Sequence, residues 1–124
     1  MNSLQGKTAL ITGAAQGNGL GIARVFAQKG ATVIMTDQDD KVFGSCELIK
    51  YETKAPGVFA YLMDVSNKKQ VADVISRYEE EIGTTDILVN NAGVSLLTTI
   101  EEMDDELRDK HFDVNIMGAW NCVK

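Results

Sequence analysis

The chain alternates between short, unbroken apolar runs and longer stretches in which apolar residues recur every three or four positions. Thr8-Ala9-Leu10-Ile11-Thr12 is the first run, and Gly13 ends it. A continuous run of this length reads as a strand buried on both faces of a sheet. Asn18 to Lys29 reads as a helix that buries Leu20, Ile22, Ala23, Val25, Phe26 and Ala27, with Gly30 at its C-terminal stop. Ala31 to Thr36 is the second buried-type strand and ends at Asp37. A helix from about Asp40 to Tyr51 carries Val42, Cys46 and Ile49 on one side, and Pro56-Gly57 breaks it. Val58 to Leu62 is the third strand. Ser66 is the expected cap of the next helix, where Val71, Val74, Ile75, Tyr78 and Ile82 form a helical stripe that Gly83 closes. Asp86 to Asn90 is the fourth strand, and a last helical pattern runs from near Glu101 to Lys124.

The order is therefore βαβαβαβα. Buried-type strands joined by helices require a parallel sheet with helices on both faces, and the doubly wound α/β class fits. One domain, residues 1–124, is expected.

Composition narrows the function. With 44% hydrophobic and 24% charged residues, the chain has apolar content enough for a core. A net charge of −6 argues against nucleic acid or an anionic membrane surface as the main partner. No stretch is apolar enough to span a bilayer. Met1 to Lys7 lacks the apolar segment of a signal peptide, so a cytoplasmic protein is expected. Cys46 and Cys122 are far apart in sequence and read as buried thiols in a reducing compartment. With them stands a single histidine, His111, so no standard zinc spacing exists and no metal site is expected. The runs Glu79-Glu80-Glu81 and Glu101 to Glu106 read as solvated faces.

The chemistry concentrates in the turn after the first strand, Thr12-Gly13-Ala14-Ala15-Gln16-Gly17-Asn18-Gly19. A tight strand-to-helix turn needs residues without Cβ clashes, and so does close approach of backbone to a pyrophosphate. The helix N-terminus then offers unpaired N–H groups and the positive end of its dipole. No Gly-Lys-Ser/Thr follows, so the turn is not a P-loop. Asp37 ends the second strand, twenty residues beyond Gly17. A carboxylate there can accept both hydroxyls of an adenosine ribose and repel a 2′-phosphate. Gln38, Asp39 and Asp40 follow it, with no basic residue adjacent, which favours NAD over NADP.

These residues carry a family resemblance. Thr12-Gly13-x-x-x-Gly17-x-Gly19 resembles the cofactor motif of the short-chain dehydrogenases/reductases, with Gln16 and Asn18 inside it. Asn90-Asn91-Ala92-Gly93, Asp64-Val65 and Asn115 in Phe112-Asp113-Val114-Asn115 resemble three further motifs of that family, in the same order. Asn18 departs from the bulkier apolar residue usual there. The resemblance implies a Rossmann-type sheet of four strands in the order 3-2-1-4, incomplete at the strand-four edge. It implies that Gly13, Gly17 and Gly19 line the pyrophosphate and Asp37 holds the adenosine ribose. Asp64 and Val65 would flank adenine, while Asn91, Ala92 and Gly93 brace the sheet near the cofactor. Asn115 would hold water in a proton relay. The implied reaction is hydride transfer between a nicotinamide cofactor and an alcohol or carbonyl.

The family's chemistry also uses a Ser and a Tyr-x-x-x-Lys pair. Here Tyr51, Tyr61 and Tyr78 are followed four residues later by Ala55, Val65 and Ile82. The resemblance therefore covers the N-terminal, cofactor-binding half, and the 124 residues alone are expected to be inactive. Apolar residues cover nearly every face of the pattern from Phe112 to Val123, implying burial on all sides, and the resemblance implies a homo-oligomer formed through residues 101–124. The competing reading is a non-catalytic NAD-binding or regulatory half-domain that self-associates. Val94 to Ile100, with Ser95, Leu96 and Leu97, would reach a substrate pocket without indicating which substrate.

Overall fold

The computed structural model of the protein describes residues 3–92 and Cys122. Gly93, Val94 to Ile100, Asn115 and the helix expected from Glu101 lie outside these residues. Four strands, β1 (Thr8–Thr12), β2 (Thr32–Asp37), β3 (Val58–Leu62) and β4 (Ile87–Val89), alternate with the helices α1 (Gly17–Gln28), α2 (Lys41–Thr53) and α3 (Lys68–Glu81). The sheet order is β3-β2-β1-β4, and every pairing is parallel, as expected.

Successive strand residues point to opposite faces, so each apolar run supplies two cores. Ile11, Val33, Met35 and Val58 pack with Ala23 and Ala27 of α1 and with Val42, Cys46 and Ile49 of α2. Leu10 and Ile34 face the other way, toward Val71, Val74 and Tyr78 of α3. Cys46 lies in the first core and Cys122 in the second, so the two thiols are buried and free on opposite sides of the sheet.

Three details differ from the sequence reading. Val25 is 48% exposed rather than buried. Helix α1 meets the sheet along Gly19, Ala23 and Ala27, and two residues beyond Ala23 the helix has turned to its opposite side. Leu20, Ile22 and Phe26 only flank that stripe and are half-buried. The cap of α3 is Asn67 rather than Ser66: its side-chain oxygen accepts from the Gln70 N–H at 3.0 Å. Ser66 instead donates its N–H and hydroxyl to Asp64 Oδ1, at 3.0 and 2.7 Å. β4 is shorter than expected, and its residues are half-buried because it borders the described part of the sheet.

Candidate functional site

The parallel register brings the C-terminal ends of the strands to one edge. Thr12 pairs with Thr36, and Asp37 pairs with Leu62. From β1, the chain winds outward through β2 and β3 and then returns to place β4 on the other flank. A crevice at this reversal of strand order is where open α/β sheets bind ligands.

A cleft of 380 Å³ opens there. Gly13, Gln16 and Gly17 line it from the glycine turn, Asp37 from the end of β2, Asp64 and Val65 from beyond β3, and Asn91 and Ala92 from beyond β4. The structure thus gathers eight of the sequence-predicted residues around one space. Ala15, Gln38, Asp39 and Met63 complete the lining.

The glycines serve different ends. Gly17 has φ +62°, and a Cβ there would meet nothing within 4 Å, so its left-handed backbone borders open space. A Cβ on Gly13, at φ +65°, would lie 2.8 Å from the Cα of Ala92. Gly19 does not line the cleft. It is buried below it, where a Cβ would overlap the carbonyl oxygen of Gly13 and lie 2.6 Å from Asn91 Nδ2. The third glycine therefore lets α1 approach the ends of β1 and β4. Asn18 is exposed on the first turn of α1, at a shallower depression beside Gly21, Ile22 and Val25.

Gln16 precedes α1 with extended backbone and no side-chain cap. The first-turn N–H groups of α1 consequently lack the protein side-chain acceptor that usually satisfies a helix start. An anionic group can satisfy them. The Asp37 carboxylate is already oriented: Oδ2 accepts from the Ala15 N–H at 3.1 Å and Oδ1 from the Asp39 N–H at 3.0 Å. Of the cleft's lining residues, Asp37, Asp39 and Asp64 are acidic and none is basic.

Thr12 is a residue whose role the sequence reading missed. Its hydroxyl donates to the Val89 carbonyl at 3.3 Å and accepts from the N–H groups of Asn91 and Ala92, each at 3.0 Å. Asn91 Nδ2 donates to the Gly13 carbonyl at 3.0 Å. A single hydroxyl thus joins the ends of β1 and β4. A polar residue closing an otherwise apolar strand, directly before the glycine, was the available signal.

The turn at Asp64 is equally self-contained. Besides the two Ser66 bonds, its N–H donates to Gln70 Oε1 at 2.5 Å. Asp64 and Val65 are thereby held at the cleft by the start of α3.

Tyr61 and Tyr78 stand apart from the cleft lining, with ring centroids 6.1 Å apart. Burial pushes the Tyr78 phenol up to about 12, against a hydrogen bond with Thr85 that lowers it. Burial also raises Tyr61, with Glu81 adding to the effect and Arg77 opposing it. Burial raises the Cys46 thiol, and it raises the Cys122 thiol to about 11. Each of these shifts favours the neutral form, which suits packing more than acid-base exchange at neutral pH.

Comparison with known proteins agrees with this geometry. The family model for short chain dehydrogenase matches residues 7–124. Oxidoreductase UcpA of Escherichia coli K12 is 46% identical over 126 residues, which cover 100% of this chain and 46% of UcpA. The 3-ketoacyl-(acyl-carrier-protein) reductase of Brucella melitensis, solved in complex with NADH, superposes with a TM-score of 0.87 at 34% identity. That match covers 98% of this chain and 48% of the reductase. A short chain dehydrogenase of Mycobacterium smegmatis gives a TM-score of 0.89 at 30% identity, over 98% of this chain and 50% of its own. The chain spans about half the length of these relatives. Motif, sheet order and relatives agree: this chain belongs to the short-chain dehydrogenase/reductase family of oxidoreductases.

Proposed function

We propose that this chain is the cofactor-binding half of an oxidoreductase that takes NAD in preference to NADP and acts on a small alcohol or carbonyl compound. The reading rests on one observation: the uncapped start of α1 and the pre-oriented Asp37 carboxylate border the same cleft. Backbone around Gly13 and Gly17 would hold the pyrophosphate, with Asn18 at the first turn and Gly19 permitting the close approach. Asp37 would hold the adenosine ribose, and Asp64 and Val65 the adenine side. Asn91, Ala92 and Gly93 would brace the region toward the nicotinamide. The bound cofactor supplies hydride chemistry. Asn115 is proposed as a member of the proton relay.

Preference for NAD follows from charge. A 2′-phosphate would enter beside Asp37 and Asp39 with no lining Lys or Arg to receive it. The test is titration of NADH and NADPH into the protein expressed from its full reading frame, followed by nicotinamide fluorescence. We expect NADH to bind about tenfold or more tightly than NADPH, the size of one unfavourable charge contact. Asp37→Ala should erase most of that ratio. Tighter binding of NADPH by the unaltered protein would overturn the assignment.

The catalytic reading extends to a cytoplasmic homo-oligomer assembled through residues 101–124. None of Tyr51, Tyr61 and Tyr78 has a Lys four positions on, so the 124 residues in isolation are expected to bind cofactor without turning over substrate. The same observation supports the second reading, a non-catalytic NAD-binding or regulatory half-domain that self-associates. Dehydrogenase activity of the full-reading-frame product separates the two.

A further inference from the structure

One hydrogen bond near the cleft comes from a residue that does not line it. Ser45, in the first half of α2, donates its hydroxyl to the carbonyl oxygen of Ala15 at 2.5 Å. Ala15 is 6% exposed and sits in the glycine turn, immediately before the Gln16 cap of α1. Its carbonyl therefore precedes the helical ladder, and a buried carbonyl in that place needs a partner from elsewhere. The same residue's N–H donates to Asp37 Oδ2 at 3.1 Å. Ala15 is thus held at both ends of its backbone, by β2 through Asp37 and by α2 through Ser45. An exposed ion pair also links α1 to α2: Arg24 Nε meets Glu52 Oε2 at 2.7 Å.

We propose that Ser45 is a positioning residue for the cofactor site, acting through the Ala15 carbonyl to hold both the phosphate-facing turn and the Asp37 carboxylate in their binding arrangement. The inference rests on the NAD-site reading above. Without the hydroxyl, the turn has other arrangements available, and the apparent affinity falls by the fraction of molecules still competent. Loss of one such bond to a buried group corresponds to about a tenfold change in that fraction. Asp37 loses a fixed partner at the same time. Discrimination against the 2′-phosphate should therefore weaken together with affinity.

The experiment compares the unaltered full-reading-frame protein with Ser45→Ala and Ser45→Thr. NADH and NADPH are titrated by fluorescence, at a temperature where circular dichroism shows all three folded. For Ser45→Ala we expect NADH affinity to fall about tenfold, NADPH affinity to fall less, and the NADH/NADPH ratio to narrow. Ser45→Thr keeps the hydroxyl and should restore both values. Equal loss of NADH and NADPH affinity would mean that Ser45 only supports the fold, and unchanged binding by Ser45→Ala would likewise overturn the proposal. Failure of the unaltered protein to bind either nucleotide would instead overturn the underlying site.

Discussion

The two faces of the sheet are built from side chains of different size. Among the described residues, five of the twelve buried members of the α1/α2 core are alanines: Ala14, Ala15, Ala23, Ala27 and Ala31. The α3 core contains none; Tyr78, Met63, Leu10 and Ile34 fill it, with Phe59 and Tyr61 against them. Small residues let a helix backbone approach the strands closely, whereas large ones hold it off and fill the space. Helix α1 needs the close approach, because its N-terminus must reach the crevice at the ends of β1 and β4. Helix α3 has no such duty along its length and contributes bulk. The contrast is one of side-chain size, used for placement on one face and for bulk on the other.

The strongest way to break this contrast is to add one methyl group on the small-residue face. Gly19→Ala would force a Cβ into the Gly13 carbonyl and Asn91 Nδ2. We expect a loss of about 3 kcal/mol, from overpacking that backbone cannot relieve, and loss of NADH binding. A urea midpoint equal to that of the unaltered protein would show that α1 can withdraw without consequence. Next in size is Thr12→Val, which preserves shape but removes the hydroxyl joining β1 to β4. It leaves the Ala92 N–H without this acceptor, while the Asn91 N–H keeps the Val89 carbonyl at 3.1 Å. About 2 kcal/mol is expected, the usual cost of stranding one part-buried donor. Denaturant unfolding checks this, and a neutral result would place the bracing elsewhere.

The large-residue face has a pH signature. The folded protein holds the Tyr78 phenol at about 12, above its ordinary 10.0, so the native state keeps this proton after the unfolded chain has released it. The stabilisation is complete below pH 10 and is lost as pH rises toward 12. Tyr78→Phe should cost about 1 kcal/mol at neutral pH through loss of the Thr85 partner. It should also flatten the fall in stability through the alkaline window. An unchanged alkaline slope in that variant would assign the titration to other groups.

Much of this arrangement was legible in the sequence. The four apolar runs announced the strands, because parallel strands covered on both faces leave no polar alternation to misread. The glycine turn and Asp37 were legible because their spacing is local. The parts that escaped depended on distance. Val25 looked buried because α1 is apolar nearly all round, and only the Gly19-Ala23-Ala27 stripe decides which side meets the sheet. The cap of α3 moved from Ser66 to Asn67 because Asp64 captures Ser66. Ser45 gave no signal at all. Its partner lies thirty positions away, and a Ser within an amphipathic helix ordinarily faces water.

The smallest effect sharpens the comparison within one helix. Lys54 ends α2 with φ +59°, a left-handed conformation, and its N–H donates to the Lys50 carbonyl at 2.9 Å. A residue with a Cβ loses about 1–2 kcal/mol in that conformation, and glycine avoids the loss. Two effects oppose Lys54→Gly. Glycine loses about 0.5–1 kcal/mol more backbone freedom on folding. The Lys54 ammonium, 4.7 Å above the exposed Tyr51 ring, contributes about 0.5 kcal/mol that the variant forfeits. Taken at mid-range, these terms leave a gain of about 0.25 kcal/mol. Thermal unfolding should therefore show a small rise in midpoint, with NADH affinity unchanged, because this end of α2 borders no part of the cleft. Ser45 and Lys54 lie on the same side of the sheet, at opposite ends of one helix. If changing Lys54 shifted cofactor affinity as much as changing Ser45, α2 would be acting as a rigid body and the whole helix, not the Ser45 hydroxyl, would place the turn.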